Sequence, residues 1–316
     1  MLKEVGARIA TLVPTMLGVG ILVFFIVRLI PGDAVDALLG DTARIDPALA
    51  EHMRQLFGLD QPLPQQLWNW LTSVLRGDLG VSTRTGTPVM QEILNRLPAT
   101  IMLAVGALVI GVLIGVPTGV LSATRRNSFT DIGVRLGALF GLSVPNFWLG
   151  IVLIYVFGVV LHVLPAGGYV PLTASPLESL KFGILPMITL GVALAGTTMR
   201  QTRSQMLEVL NEDYVRTARA KGLNDRQVTY RHALRNALIP VVTVVGLQLG
   251  RLLGGTVIIE QIFQWPGIGQ LIVRAIDTRD YPMIQGAVLV LAFFFVTANL
   301  LVDILYVLID PRLRHA

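Results

Sequence analysis

Four histidines, three lysines and no cysteine are all that this chain offers for metal, phosphate or thiol chemistry. His52, His162, His232 and His315 lie at least 70 residues from one another, and no HExxH, GxSxG or Cys/His cluster is present. Metal-assisted and serine hydrolysis therefore have no residues to carry them. Lys3, Lys181 and Lys221 lack the glycine spacing of a phosphate-binding loop, so any ATP that serves this protein must be bound by another chain. Without cysteine there is neither a disulfide framework nor a thiolate site, and the redox compartment is left open.

Charge within apolar sequence is the second kind of chemistry to weigh, because an ion in hydrocarbon is costly and tends to be functional. Arg28 stands near the end of its apolar run, within snorkelling reach of the interface. Arg251 and Asp303 are deeper. At about 1.5 Å per residue they lie about 21 Å and about 8 Å from the basic ends of their helices, too different in depth to pair. Arg251 is thus a candidate for a cavity-facing cation that attracts a carboxylate, while Asp303 fits a helix-end anchor. One deep carboxylate and no inverted repeat count against a secondary transporter or channel. An intramembrane enzyme lacks a nucleophile and a base.

The third feature is the stretch from Glu212 to Pro240, where Arg216, Arg219, Lys221, Arg226, Arg231 and Arg235 fall in two amphipathic runs broken at Gly222. Asp213 to Lys221 (Asp213, Tyr214, Val215, Arg216, Thr217, Ala218, Arg219, Ala220, Lys221) is predicted to be a short helix. It is acidic at its start and basic at its end, as the helix dipole favours. Gly222 suits a left-handed C-terminal cap, and Asn224 or Asp225 can cap a second helix. The expected product is a helix, a sharp corner and another helix, shaped for docking.

These residues need a membrane to stand in. The chain of 316 residues is 53% hydrophobic and 14% charged, with a mean hydropathy of +0.67, outside the range of soluble domains. About 20 apolar residues cross about 30 Å of hydrocarbon. Six runs qualify: Ile9 to Ile30, Ala99 to Ser122, Ile132 to Leu161, Ile184 to Met199 (the shortest), Ala237 to Ile258 and Ile284 to Leu308. The first is too long for a signal peptide and ends at Arg28–Asp33 without a cleavage pattern.

Orientation follows the basic residues. The N-terminus, the loop near Arg125, the Arg200–Asn236 loop and the C-terminus carry 14 Lys and Arg in about 62 residues, against 8 in about 115 on the other side. Both termini and the basic stretch are therefore expected in the cytoplasm, and the net charge of +5 reflects topology rather than nucleic-acid binding. The loop from Pro31 to Pro98, with eight acidic and five basic residues, is expected to form a small external helical cap. Residues 1–98 then form a first helix plus external loop, and 99–316 a five-helix core with its cytoplasmic loop at about 200–236.

Glycine recurs every fourth residue at Gly111, Gly115, Gly119, at Gly133, Gly137, Gly141, and at Gly246, Gly250, Gly254, which predicts close helix packing. Pro14, Pro117, Pro145 and Pro186 are expected to bend their helices.

The basic stretch resembles the cytoplasmic loop of ABC importer permeases, whose signature is Glu-Ala-Ala, three residues, then Gly. Arg216-Thr217-Ala218 and Gly222 hold those positions here, the first two differing from the signature. Asp213 to Gly222, followed by His232-Ala233-Leu234-Arg235-Asn236-Ala237-Leu238-Ile239-Pro240, is similar to the dipeptide, oligopeptide and nickel branch. So are Arg28-Leu29-Ile30-Pro31-Gly32-Asp33, Ser143-Val144-Pro145-Asn146-Phe147, Leu164-Pro165-Ala166-Gly167-Gly168-Tyr169, Phe263-Gln264-Trp265-Pro266-Gly267-Ile268-Gly269 and Asp310-Pro311-Arg312.

The resemblance implies an all-α membrane protein with six transmembrane helices and the type I importer permease fold. It further implies a second, homologous permease subunit, two cytoplasmic ABC ATPases and an extracytoplasmic substrate-binding protein. No cofactor is expected on this chain: ATP and Mg would sit on the ATPases. Asp213–Gly222 would couple to the ATPase. Arg251 with Ser143, Pro145 and Asn146 would line a translocation path, for di- or oligopeptides or alternatively for a nickel complex or glutathione.

Overall fold

Proline and tertiary contact, more than apolar length, decide where the helices of this chain start, bend and stop. The computed structural model describes residues 2–29, 35, 39 and 46–309. Pro31–Asp33 and Asp310–Arg312 lie outside them, as does the side chain of Asp303. α1 (Leu2–Arg28) takes in Pro14 without a break. α2 (Pro47–Leu56) starts at Asp46, whose carboxylate accepts from the Leu49 N–H at 3.0 Å, and α3 (Leu63–Leu75) follows. Together they put helices where a helical loop was expected. Arg28 ties α1 to them rather than reaching for water: it donates to the Phe24 carbonyl and twice to Gln66 Oε1, at 3.0, 3.2 and 2.8 Å, and lies over the Phe24 ring.

α4 (Val89–Thr124) begins ten residues earlier than its apolar run, because Val89 and Ile93 are buried in one core with Leu79, Ile268 and Ile284. Pro98 and Pro117 lie inside it. α5 (Phe129–Ser143) and α6 (Asn146–Leu153, running on as a π-helical Ile154–Val160) correct the expectation of one straight span from 132 to 161. They meet at 99°. Proline disfavours the helical region for the residue before it, and Val144 is accordingly extended at φ −77°, ψ 125° ahead of Pro145.

The fourth run was the shortest in sequence, yet α7 (Pro176–Val209) has 34 residues. Ser175 caps its start, accepting from the Glu178 N–H, and buried Thr202 and Met206 carry it past the apolar stretch. α4 and α7 pack along their length. A Cβ on Gly115 or Gly119 would lie 2.6 Å from the Cβ of Thr198 or Thr202, so only glycine allows this approach. The stripe on α4 is thus a packing stripe, as expected. Gly133 and Gly137 on α5 face open space instead.

α8 (Asp213–Ala220) leaves α7 after a short turn. Asp225–Gln227 and a π-helical Val228–Ala233 then lead into α9 (Leu234–Gly255), with Pro240 inside. α10 (Val257–Ile262), α11 (Ile268–Asp277) and α12 (Tyr281–Ile309) complete the chain. Five of these helical stretches are long and apolar enough to cross a membrane, and the bent pair α5–α6 makes a sixth. Among the described residues there is no strand, only an isolated antiparallel bridge between Val81 and Pro88.

Candidate functional site: an exposed basic helix and a buried carboxylate clamp

α8 is built as its sequence asks. Asp213 opens it and Arg219 stands in its last turn. Gly222 takes φ +82°, in the left-handed region that a Cβ resists. The Gly222 N–H donates to the Arg219 carbonyl at 2.9 Å and the Leu223 N–H to the Ala218 carbonyl at 3.3 Å. This pair of bonds is the Schellman stop. Asn224 then starts the next helical turn, its Oδ1 accepting from the Gln227 N–H at 2.8 Å.

Only Val215 and Ala218 of α8 are buried, packed with Val228, Val209 and Leu210. Asp213, Tyr214, Arg216, Thr217, Arg219, Ala220, Lys221 and Gly222 are exposed. Arg216 reaches Asp213 and Arg219 reaches Asp225, both at 3.3 Å, and Asn236 donates to the Tyr214 hydroxyl at 2.8 Å. A small apolar seat thus holds a polar helix whose outer face is free to meet a partner.

Behind this segment, Asp131 at the start of α5 is fully buried and gathers three elements. Its carboxylate accepts from Arg203 of α7 at 3.0 and 3.1 Å, from the Asn127 N–H at 3.0 Å and from Ser122 of α4. Arg135, one turn further along α5, lies 3.5 Å from Oδ1 of the same carboxylate. Removing one partner of so buried a pair leaves an uncompensated charge, so the cluster fixes how the basic ends of α4, α5 and α7 sit.

At the opposite end of the bundle, Glu260 is fully buried. Oε1 accepts from Thr256 at 2.9 Å and Thr100 at 3.4 Å, and Oε2 accepts from the Gln270 N–H at 2.8 Å. The Ile268 N–H donates to Thr100 Oγ1 and the Trp265 Nε1–H to the Ala99 carbonyl, both at 2.9 Å. A Cβ on Gly267 would run into the Glu260 carboxylate. Burial pushes this carboxyl above the ordinary range, while the donors from Gln270, Thr256, Thr100 and Gly269 pull the other way.

Three blocks that looked unrelated in sequence converge on this clamp. Gly168 donates to the Phe263 carbonyl at 2.9 Å, Tyr169 meets Trp265 edge-on at 4.8 Å, and Gly150, just past the Pro145 bend, packs on Phe263. Ser143 and Pro145 are exposed at the bend and Asn146 is half-buried. Arg251 is exposed near the end of α9, four residues before Gly255, so it stands closer to the C-terminal end of its helix than its apolar run suggested. Among the described residues no hydrogen bond or ion pair joins it to the bend. Glu260 escaped the sequence reading. The signal available was a lone carboxylate in Val257-Ile258-Ile259-Glu260-Gln261-Ile262, where nothing nearby in sequence balances it.

Comparison with known proteins agrees with this architecture. Residues 115–315 match the binding-protein-dependent transport system inner membrane component family, and residues 1–104 match the N-terminal region of such membrane components. A putative peptide transport system permease protein of Brucella abortus (strain 2308) is 47% identical over 308 residues, covering 98% of each chain. The glutathione transport system permease protein GsiC of Pectobacterium atrosepticum is 46% identical over 316 residues and all of both chains. The di/tripeptide transport system permease protein DppB of Pseudomonas aeruginosa is 43% identical over 335 residues, 100% of this chain and 99% of its own. In structure, the inward-facing MetNI methionine ABC transporter aligns with a TM-score of 0.56 at 18% identity, over 70% of this chain and 97% of that one. The chain therefore belongs to the inner-membrane components of binding-protein-dependent transport systems and is an ABC importer permease.

Proposed function

We propose that this multi-pass permease forms half of a translocation path for peptides, glutathione-like tripeptides included, and supplies no chemistry of its own. A second permease subunit would complete the path, two cytoplasmic ABC ATPases would bind ATP and Mg, and an extracytoplasmic binding protein would deliver the cargo. The observation that carries the coupling part is α8: exposed, basic, stopped sharply at Gly222 and seated through only Val215 and Ala218. Such a helix can move as one body with whatever grips its outer face. The substrate class rests on the peptide and glutathione permeases to which the chain is similar along its full length.

Both termini and the 200–236 loop are read as cytoplasmic from their basic excess. On that orientation α8 faces the ATPases, and the bend at Ser143, Pro145 and Asn146, with Arg251, lines the path nearer the outer side. Reconstituted complex should hydrolyse ATP faster when binding protein loaded with a di- or tripeptide is added. Stimulation by no peptide would remove the substrate class. External labelling of a cysteine placed at 219 in intact cells would overturn the orientation.

A further inference from the structure

Arg135 of α5 and Arg200, Arg203 and Ser204 of α7 line an open cavity of about 460 Å³. Three guanidiniums share it, and Asp131 is the carboxylate within ion-pair reach among the described residues. Asp131 is already occupied by Arg203 and Arg135, and Arg200 is exposed. The cavity therefore carries an excess of two positive charges.

The same seam continues as a second, almost wholly apolar cavity of about 230 Å³, walled by Val134, Gly137, Ala138, Val192 and Gly196, with Met199 lining both. A Cβ on Gly137 would meet nothing within 4 Å, so this glycine keeps the seam open rather than packing it. Leu136, Leu139 and Phe140 beside it are exposed. A cationic pocket at helix ends that opens into an apolar furrow has the form of an amphiphile with an anionic head. Basic pockets between membrane helices recognise anionic head groups.

We propose that the α5–α7 seam binds an anionic phospholipid of the leaflet on the α8 side, with its phosphate on Arg135, Arg200 and Arg203 and one acyl chain along Gly137, Ala138 and Gly196. A free anion would leave the apolar half wet, and a cargo peptide would leave it unfilled. The site rests on the membrane reading of the chain but not on which solute is carried.

The test uses the full chain with its co-purifying subunits in nanodiscs of mixed phosphatidylglycerol and phosphatidylcholine, followed by lipid extraction from the delipidated complex. Wild type should retain phosphatidylglycerol preferentially. Arg135→Gln with Arg200→Gln should lower that preference roughly tenfold or more, since each basic residue near the surface contributes to it. Gly137→Leu, which fills the furrow and leaves the arginines in place, should also release the lipid. Arg200→Lys should restore part of the preference lost in Arg200→Gln. Equal retention of both lipids by wild type would overturn the proposal. So would displacement by inorganic phosphate alone, which would make this a free-anion site, and so would crosslinking of position 137 to another subunit rather than to a photoactivatable lipid.

Discussion

The exposed helix α8 and the Glu260 clamp are opposite solutions to holding a short helix in place. α8 buries two side chains and makes its polar contacts within about twenty residues of itself, from Arg216–Asp213 to Asn236–Tyr214. The clamp buries Glu260, Trp265 and Phe263 and draws its bonds from Ala99 and Thr100, some 160 residues away in the chain. The first can lift or tilt at small cost because little is desolvated. The second cannot move without unpairing buried donors, each of which costs roughly 1–3 kcal/mol to leave unmade. The proposed function uses both: a helix free to follow a partner, and a fixed end of the bundle against which helix motion is referred.

Substitutions should separate the two regions by what fails first. Trp265→Ala should be the most damaging, because it empties a fully buried indole site and frees the Ala99 carbonyl; roughly 3–5 kcal/mol is at stake. Thermal unfolding in detergent should show a large fall in Tm and a low yield of complex. A wild-type Tm would mean the clamp is not a structural fixture.

Gly222→Val should cost less in folding, about 1 kcal/mol or more for a β-branched residue at φ +82°, and nearly everything in coupling. The variant should reach the membrane and recruit its subunits while substrate-stimulated ATPase activity collapses. Retention of full stimulation would reduce α8 to a basic loop.

A pH titration sharpens the contrast further. Glu260 is held above its unfolded value by burial, so the folded state keeps a proton that the unfolded state has shed. Stability should therefore fall as pH climbs from the ordinary glutamate range near about 4.3 towards the raised folded value. Glu260→Gln should flatten that part of the Tm-against-pH curve, and an unchanged slope would assign it elsewhere. Smallest in stability is Arg216→Glu with Arg219→Glu, both exposed: Tm should hold while ATPase co-purification weakens, more so at high salt. Co-purification insensitive to both changes would take these arginines out of the contact.

How much of this was legible in the sequence follows the same division. α8 was readable because acidic start, basic end, Gly222 and Asn224 all act within one turn of where they stand. The membrane spans were readable because twenty apolar residues have no other use. Helix ends were less so: the first ten residues of α4 and the last ten of α7 are amphipathic, and they are helical because Val89, Ile93, Thr202 and Met206 find buried neighbours. Pro117, Pro145 and Pro186 look alike in sequence, yet the chain breaks at Pro145, where α6 turns away to pack Gly150 on Phe263. The clamp was the least legible part. Its blocks were noticed singly, but their meeting on Glu260 depends on topology that no local pattern encodes.

The 99° bend has a consequence for the life of the subunit before assembly. Backbone that leaves helical geometry at membrane depth must find hydrogen bonds in protein or in a water-filled cavity, since lipid offers none. Pro145 gives α6 no side-chain cap, and both Ser143 and Pro145 lie on the open surface of the single chain. Inserted alone, the permease would expose an uncapped helix start to acyl chains, at several kcal/mol for each unpaired group. An orphan copy should therefore be a substrate for membrane quality control, and its abundance in the cell should be set by the supply of whatever covers that bend.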